Sequence, residues 1–126
     1  MGNISGNHSG SYEGFVFKFN SSGSYEWGQW IGSSSTMRVF SISVDSLDNV
    51  YVGGFAETDI TDDGLGNISG NYSGNKEGFF FKFNSSGSYE WGQWIGSSSS
   101  VWDSSISVDS LDNVYAVAYA YNNFAD

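Results

Sequence analysis

Two carboxylates sit directly beside indoles in this chain: Glu26 precedes Trp27, and Glu90 precedes Trp91. An acid next to an aromatic platform suits a sugar site, but glycoside hydrolysis needs two carboxylates at a set separation. Each of these segments offers only one, so packing of the indoles in a core is the expected role. Asp59, Asp62 and Asp63 precede Gly64 and could offer oxygen ligands to Ca²⁺. They lack the alternating aspartates and closing glutamate of an EF-hand loop, and a solvated acidic turn is the preferred reading. Six Asn-x-Ser sequons, at Asn3, Asn7, Asn20, Asn67, Asn71 and Asn84, fall in expected turns or loops. A glycan there would project into solvent, although a chain with 25 Ser also makes such triplets by composition alone. With no Cys and one histidine, His8, neither a thiolate site nor a His-rich metal site can be built. No nucleophile–base pair emerges, so no catalytic residue and no cofactor is expected, and the chain is read as a non-enzyme.

The elements that carry these residues must come from an unusual composition. Ser (25), Gly (17) and Asn (11) make up 53 of 126 residues, a balance that alone would suggest disorder. Against it stand 10 Phe, 8 Tyr and 5 Trp, more aromatic surface than a solvated linker carries. Fourteen acidic residues against four basic ones give a net charge of −10, a field that repels phosphate backbones. Nucleic acid is therefore an unsuitable partner, and the longest apolar run is far too short to cross a bilayer.

Internal repetition dominates the chain. Sliding the sequence by 64 places residues 2–62 on 66–126, with 43 of 61 positions identical. Residues 17–35 recur unchanged as 81–99, and 41–51 as 105–115. The expected organisation is repeat 1 over residues 1–64 and repeat 2 over 65–126. Within each copy the hydrophobic period is two, as in strands. Phe15, Phe17 and Phe19 share one face, Tyr25, Trp27 and Ile31 are expected on a common side, and Ile42 and Val44 are expected to point inward. Asn20-Ser21-Ser22-Gly23 and Asp45-Ser46-Leu47-Asp48-Asn49 supply turn residues that tolerate left-handed backbone. Each copy thus reads as four short strands, with Phe17, Phe19, Trp27, Phe81, Phe83 and Trp91 as the expected core. Residues 57–76 form a long Gly-, Asn- and Asp-rich connection, of a kind that is often functional.

The run Glu77-Gly78-Phe79-Phe80-Phe81-Lys82-Phe83-Asn84-Ser85-Ser86-Gly87, then Trp91, Ile106-Ser107-Val108-Asp109-Ser110 and Asn113-Val114-Tyr115, resembles the seven-bladed β-propeller repeat (SBBP) family. Five elements match in order over most of both copies. The departures are Glu13 and Glu77 for the family's Asp, Leu-Asp for Ser-Gly in the second turn, and Ala116-Val117-Ala118-Tyr119 in the final strand. The resemblance implies an all-β fold of four-stranded antiparallel propeller blades, and an extracellular or cell-surface setting. It implies no particular reaction.

By the family's strand order, residues 41–45 and 50–55 are the inner strands of a blade, and 78–84 and 88–95 its outer strands. The sequence then holds two blade equivalents, with a half-blade at each terminus. Two blades cannot close a propeller, and open half-blades expose strand edges and aromatic faces. The expected function is a structural subunit of an extracellular assembly, a filament or surface layer, built by head-to-tail pairing of half-blades with other copies of itself. The alternative is a glycan- or protein-binding propeller module of a larger cell-surface adhesin.

Overall fold

A computed structural model describes residues 2–6, 8, 12–32, 37–57, 68–69, 72, 76–96 and 101–120, with backbone alone at 102–104. Within these residues the fold is all-β: β1 (Gly14–Phe19), β2 (Tyr25–Ile31), β3 (Met37–Val44), β4 (Val50–Ala56), β5 (Ile68–Ser69), β6 (Glu77–Phe83), β7 (Tyr89–Ile95), β8 (Val101–Val108) and β9 (Val114–Ala120). No helix among the described residues is long and apolar enough to cross a membrane. Aspartates 59, 62 and 63 and sequons Asn7, Asn67 and Asn71 lie outside the described residues.

Three sheets form. The first pairs β1 with β2, the middle one has the order β3-β4-β6-β7-β5, and the third pairs β8 with β9. The middle sheet contains the four-stranded antiparallel meander of a blade, to which β5 adds a short fifth strand parallel to β7. In the first repeat Ser5 makes the matching parallel bridge to Gln29. Part of the long 57–76 connection therefore returns to cover the outer edge of its own sheet, where backbone donors and acceptors would otherwise stay unpaired.

The turns repeat as faithfully as the strands. Oδ1 of Asn20 accepts the backbone N–H groups of Ser22 and Ser24, and Oδ1 of Asn84 those of Ser86 and Ser88. Gly23 and Gly87 close these turns with φ of 81° and 88°, a conformation that a Cβ disfavours. Asn20 and Asn84 are thus sequon residues whose side-chain carbonyls already hold a turn.

One core lies between the first and middle sheets. It joins Val16 and Ile31 to Met37, Val50, Val52, Phe79, Phe81, Phe83 and Trp94. A smaller cluster of Tyr51, Phe80 and Ile106 joins the middle sheet to the third. β6 is therefore covered on both faces.

Several expectations about faces need correction. Phe81 and Phe83 are fully buried, whereas Phe19, at the same place in the first repeat as Phe83, is 48% exposed. Trp91 is 40% exposed and not a core residue, while Phe17 and Trp27 are half-buried. Ile42 and Val44 share the core face with their partners Val52 and Val50, yet both stay more than half exposed, because the first sheet covers only part of that face of β3 among the described residues. Irregularities in register explain other differences. A shift between Lys18 and Phe19 pairs Tyr25 with Phe19, so the Tyr25 ring meets Phe17 and Phe19 and not the side of Trp27. β3 begins at Met37 and carries a bulge between Val39 and Ser41, four residues ahead of the expected strand start.

Candidate assembly interface

The repeat gives one strand sequence two environments, and the contrast locates the candidate site. β2 and β7 are identical, and β1 differs from β6 only by Val16 for Phe80 and by the residue that precedes Gly14 or Gly78 counted into β6. Phe79, Phe81 and Phe83 lie against the first sheet and are shielded completely. Their counterparts Phe15, Phe17 and Phe19 form a ring-on-ring row, with Phe15 also edge-on to Trp30, on a face with no covering sheet among the described residues. Keeping three phenyl rings on this side leaves apolar area uncovered among the described residues, which makes it the candidate interaction surface.

Where two sheets do meet, polar groups fix their alignment. Trp27 Nε1 donates to the Ser85 carbonyl at 2.9 Å, and its ring lies 6.5 Å from that of Phe83. Lys18 Nζ reaches the same carbonyl at 3.4 Å while pairing with Glu26 at 2.9 Å. The Asn84 turn of the middle sheet is thereby latched to the first sheet. Trp91 and Lys82 are the counterparts of Trp27 and Lys18, with Lys82 paired to Glu90 at 3.1 Å. Glu26 and Glu90 are thus held by lysines across the strand pair.

Near the other end of the sheets a second set of bonds joins middle to third. Ile106 N–H donates to Ser41 Oγ at 3.0 Å. The Ser46 N–H and hydroxyl donate to the Asp112 carboxylate at 3.0 and 2.8 Å. Asp48 and Asp112 both adopt left-handed backbone, with φ of 64° and 65°, at the turn position where the family pattern has Gly. Among the described residues Asp112 alone of the two binds a neighbouring sheet, through Ser46, so the two aspartates should respond differently to the same change. Asp48→Gly should stabilise the chain by about 0.5–1 kcal/mol by relieving the backbone. Asp112→Gly gains the same relief but loses two charge-assisted bonds, and should be neutral or destabilising. Urea midpoints of the two variants check this; equal shifts would contradict it.

Each of these turns is organised by its first aspartate. Asp45 accepts from Leu47 N–H, Asn49 N–H, Asn49 Nδ2 and the Tyr51 hydroxyl. Burial raises its pKa, but the bonds from Asn49, Leu47 and Tyr51 outweigh it and hold the carboxyl at about 2. Asp109 makes the same four contacts with Leu111, Asn113 and Tyr115 and is likewise lowered, first by the Asn113 bonds. The sequence marked these aspartates only as turn residues; the signal for the fuller motif is the Asp-x₃-Asn-x-Tyr spacing shared by both copies.

Among the described residues no three His, Cys, Asp or Glu side chains gather as a metal site. What the described residues do offer is apolar grooves at the sheet edges. At one side lies a groove of about 250 Å³ between β1 and β3, lined by Phe15, Phe17, Val39, Phe40, Ile42 and Val52. At the other is a smaller groove of about 80 Å³ formed by Phe80, Ile95, Ala116, Val117 and Ala118, along β9. No curated protein matches the chain. The family model of the SBBP β-propeller repeat matches residues 90–125, a span that takes in nearly all of β7 and the whole of β8 and β9. Residues 90–125 are therefore similar to a β-propeller repeat of the SBBP family.

Proposed function

We propose that this chain is a non-enzymatic structural subunit of an extracellular filament or surface layer, built by head-to-tail pairing of propeller half-blades. One observation carries this reading. In the middle sheet, β4 and β6 join the inner strands of one repeat to the outer strands of the next through seven consecutive pairs, from Val50↔Phe83 to Ala56↔Glu77. β9 stands in the place of β4, and β1 in the place of β6, each with one edge that has no strand partner among the described residues. Transposing the ladder sets Val114 of one copy opposite Phe19 of the next, Tyr115 opposite Lys18, and Ala120 opposite Glu13. Such a contact is heterologous, so it propagates into a ring or a fibre according to the rotation at each joint. The edges gain hydrogen-bond partners and the aromatic rows leave water. The six sequons and the acidic surface are in keeping with an exported, solvated assembly.

The absence of Cys makes the register testable by crosslinking. A chain with Tyr115→Cys mixed with one carrying Lys18→Cys should form a disulfide-linked dimer on mild oxidation. Tyr115→Cys mixed with Phe17→Cys, whose side chain lies on the opposite face, should not. Light scattering of the unmodified chain should show mass growing beyond 13.7 kDa with concentration. Salt should promote that growth, because it screens repulsion between copies of charge −10. A constant monomer mass, or crosslinking indifferent to register, would overturn the reading.

A further inference from the structure

We infer that the face carrying Lys82, Trp91 and Ile95 is a socket for the β1–β2 hairpin of a second copy, with Trp91 latching onto that copy's Asn20–Gly23 turn. This docking presupposes the head-to-tail pairing proposed above and specifies the side-chain contacts that would give it strength and direction. The occupant is identified by the chain itself. Trp27 and Lys18 bind the Ser85 carbonyl of the following Asn84-Ser85-Ser86-Gly87 turn. The same four residues recur as Asn20-Ser21-Ser22-Gly23, folded by the same asparagine bonds. Trp91, meanwhile, has the sequence surroundings of Trp27 and no turn to bind among the described residues. A second copy set by the β9–β1 register brings its Ser21 carbonyl to Trp91 Nε1 and Lys82 Nζ.

The apolar surfaces agree with this placement. Val16, Ile31 and Val52 are covered within the chain by Phe79 and Phe81. Their counterparts Phe80, Ile95 and Ala116 line the small groove beside β9, and Phe15 and Phe17 of a second copy are the rings that would fill it. Phe80 and Ala116 stand where the first copy has Val16 and Val52, and Ala118 stands where it has Gly54. A Cβ at Gly54 would come within 2.8 Å of the Phe79 ring tip, and Ala118 has such a Cβ. The facing Phe15 ring must therefore tilt slightly, which an exposed phenyl can do.

Glycines give the test. A Cβ on Gly87 would meet the Trp27 ring at 2.6 Å, whereas one on Gly23 meets nothing within 4 Å in the single chain. In the docked pair, Gly23 would sit under Trp91 of the neighbour as Gly87 sits under Trp27. Gly23→Asn keeps the left-handed turn accessible, so the free chain should fold unchanged, while association weakens by about 10- to 100-fold. Trp91→Ala, at a half-exposed ring, should weaken association to a similar degree. Combined in one chain the two should be no worse than Trp91→Ala alone, since the clash and the latch are one contact. Trp91→Phe, which keeps a ring but removes the N–H donor, should fall between Trp91→Ala and the unmodified chain. Sedimentation equilibrium of the four variants, beside Tyr115→Cys/Lys18→Cys crosslinking, separates the outcomes. Register-specific crosslinking with association unaffected by Gly23→Asn and Trp91→Ala would overturn the socket and leave strand pairing standing. Failure of the unmodified chain to associate or crosslink would overturn both.

Discussion

Replacing Phe81 by Ala should cost about 3–5 kcal/mol of folding stability, while the same change at Phe17 should cost well under half as much. Apart from Val16 in place of Phe80 before them, the two residues occupy equivalent places, each followed by Lys-Phe and each opposite a glycine of the neighbouring strand, Gly92 for Phe81 and Gly28 for Phe17. Strand pairing and ring size are thus held constant. What differs is the covering sheet. Phe81 has no exposed area and packs in the core with Phe79 and Phe83, so truncation leaves a cavity lined by rings that cannot collapse freely. Phe17 faces the uncovered side, and its loss removes contacts with Phe15, Phe19 and Tyr25 without emptying an enclosed site. For a domain of this size the Phe81 penalty corresponds to a fall in Tm on the order of 10–20 °C. Denaturant melts at concentrations below association provide the comparison, and equal losses at the two positions would refute the assigned packing. Above the association threshold the gap should narrow, because docking buries Phe17 as well.

That pair also shows where sequence reading stops. Period-two alternation was enough to place the eight main strands, since residues such as Phe15/Val16/Phe17 and Ser41/Ile42/Ser43 admit no helical stripe. The Asn20 and Asp45 turns were equally legible, because their side chains make bonds two and four residues ahead and need no distant partner. Exposure was not legible. Phe19 and Phe83 share their neighbours on both sides, so no local pattern can tell 48% exposed from fully buried. The difference comes from which sheet lies opposite, and that is a property of topology. β5 was missed for another reason: two residues in a Ser-, Gly- and Asn-rich run carry no period, and their strand character derives from the edge of β7. The shift at Lys18/Phe19, which turns Tyr25 away from Trp27, likewise has no signature in a sequence of alternating aromatics.

Removing the Asp45 carboxylate should be the most damaging polar change, and its effect should depend on pH. Four donors converge on this side chain, among them the hydroxyl of Tyr51, a ring that is almost wholly buried against Phe80 and Ile106. Asp45→Ala leaves that hydroxyl and two turn N–H groups without their acceptor. A loss of about 2 kcal/mol at neutral pH is expected, towards the lower part of the range for charged acceptors because the turn borders solvent. The folded carboxyl titrates near 2 and the unfolded one near 3.8, so the folded state binds the proton less readily. The stabilisation from ionised Asp45 is therefore complete above about pH 4 and disappears as pH falls towards 2. Asp109, lowered by the same contacts, adds to the loss in the same direction. Asp45→Asn separates the charge from the shape: it keeps one carbonyl for Leu47 and Asn49 N–H but cannot titrate. Its stability should lie below that of the unmodified chain at pH 7 and approach it between pH 4 and pH 2. Urea melts across that interval measure the convergence. A difference that stayed constant, or widened on acidification, would mean that the ionised carboxylate does not organise this turn and that the Tyr51 hydroxyl draws its support from elsewhere.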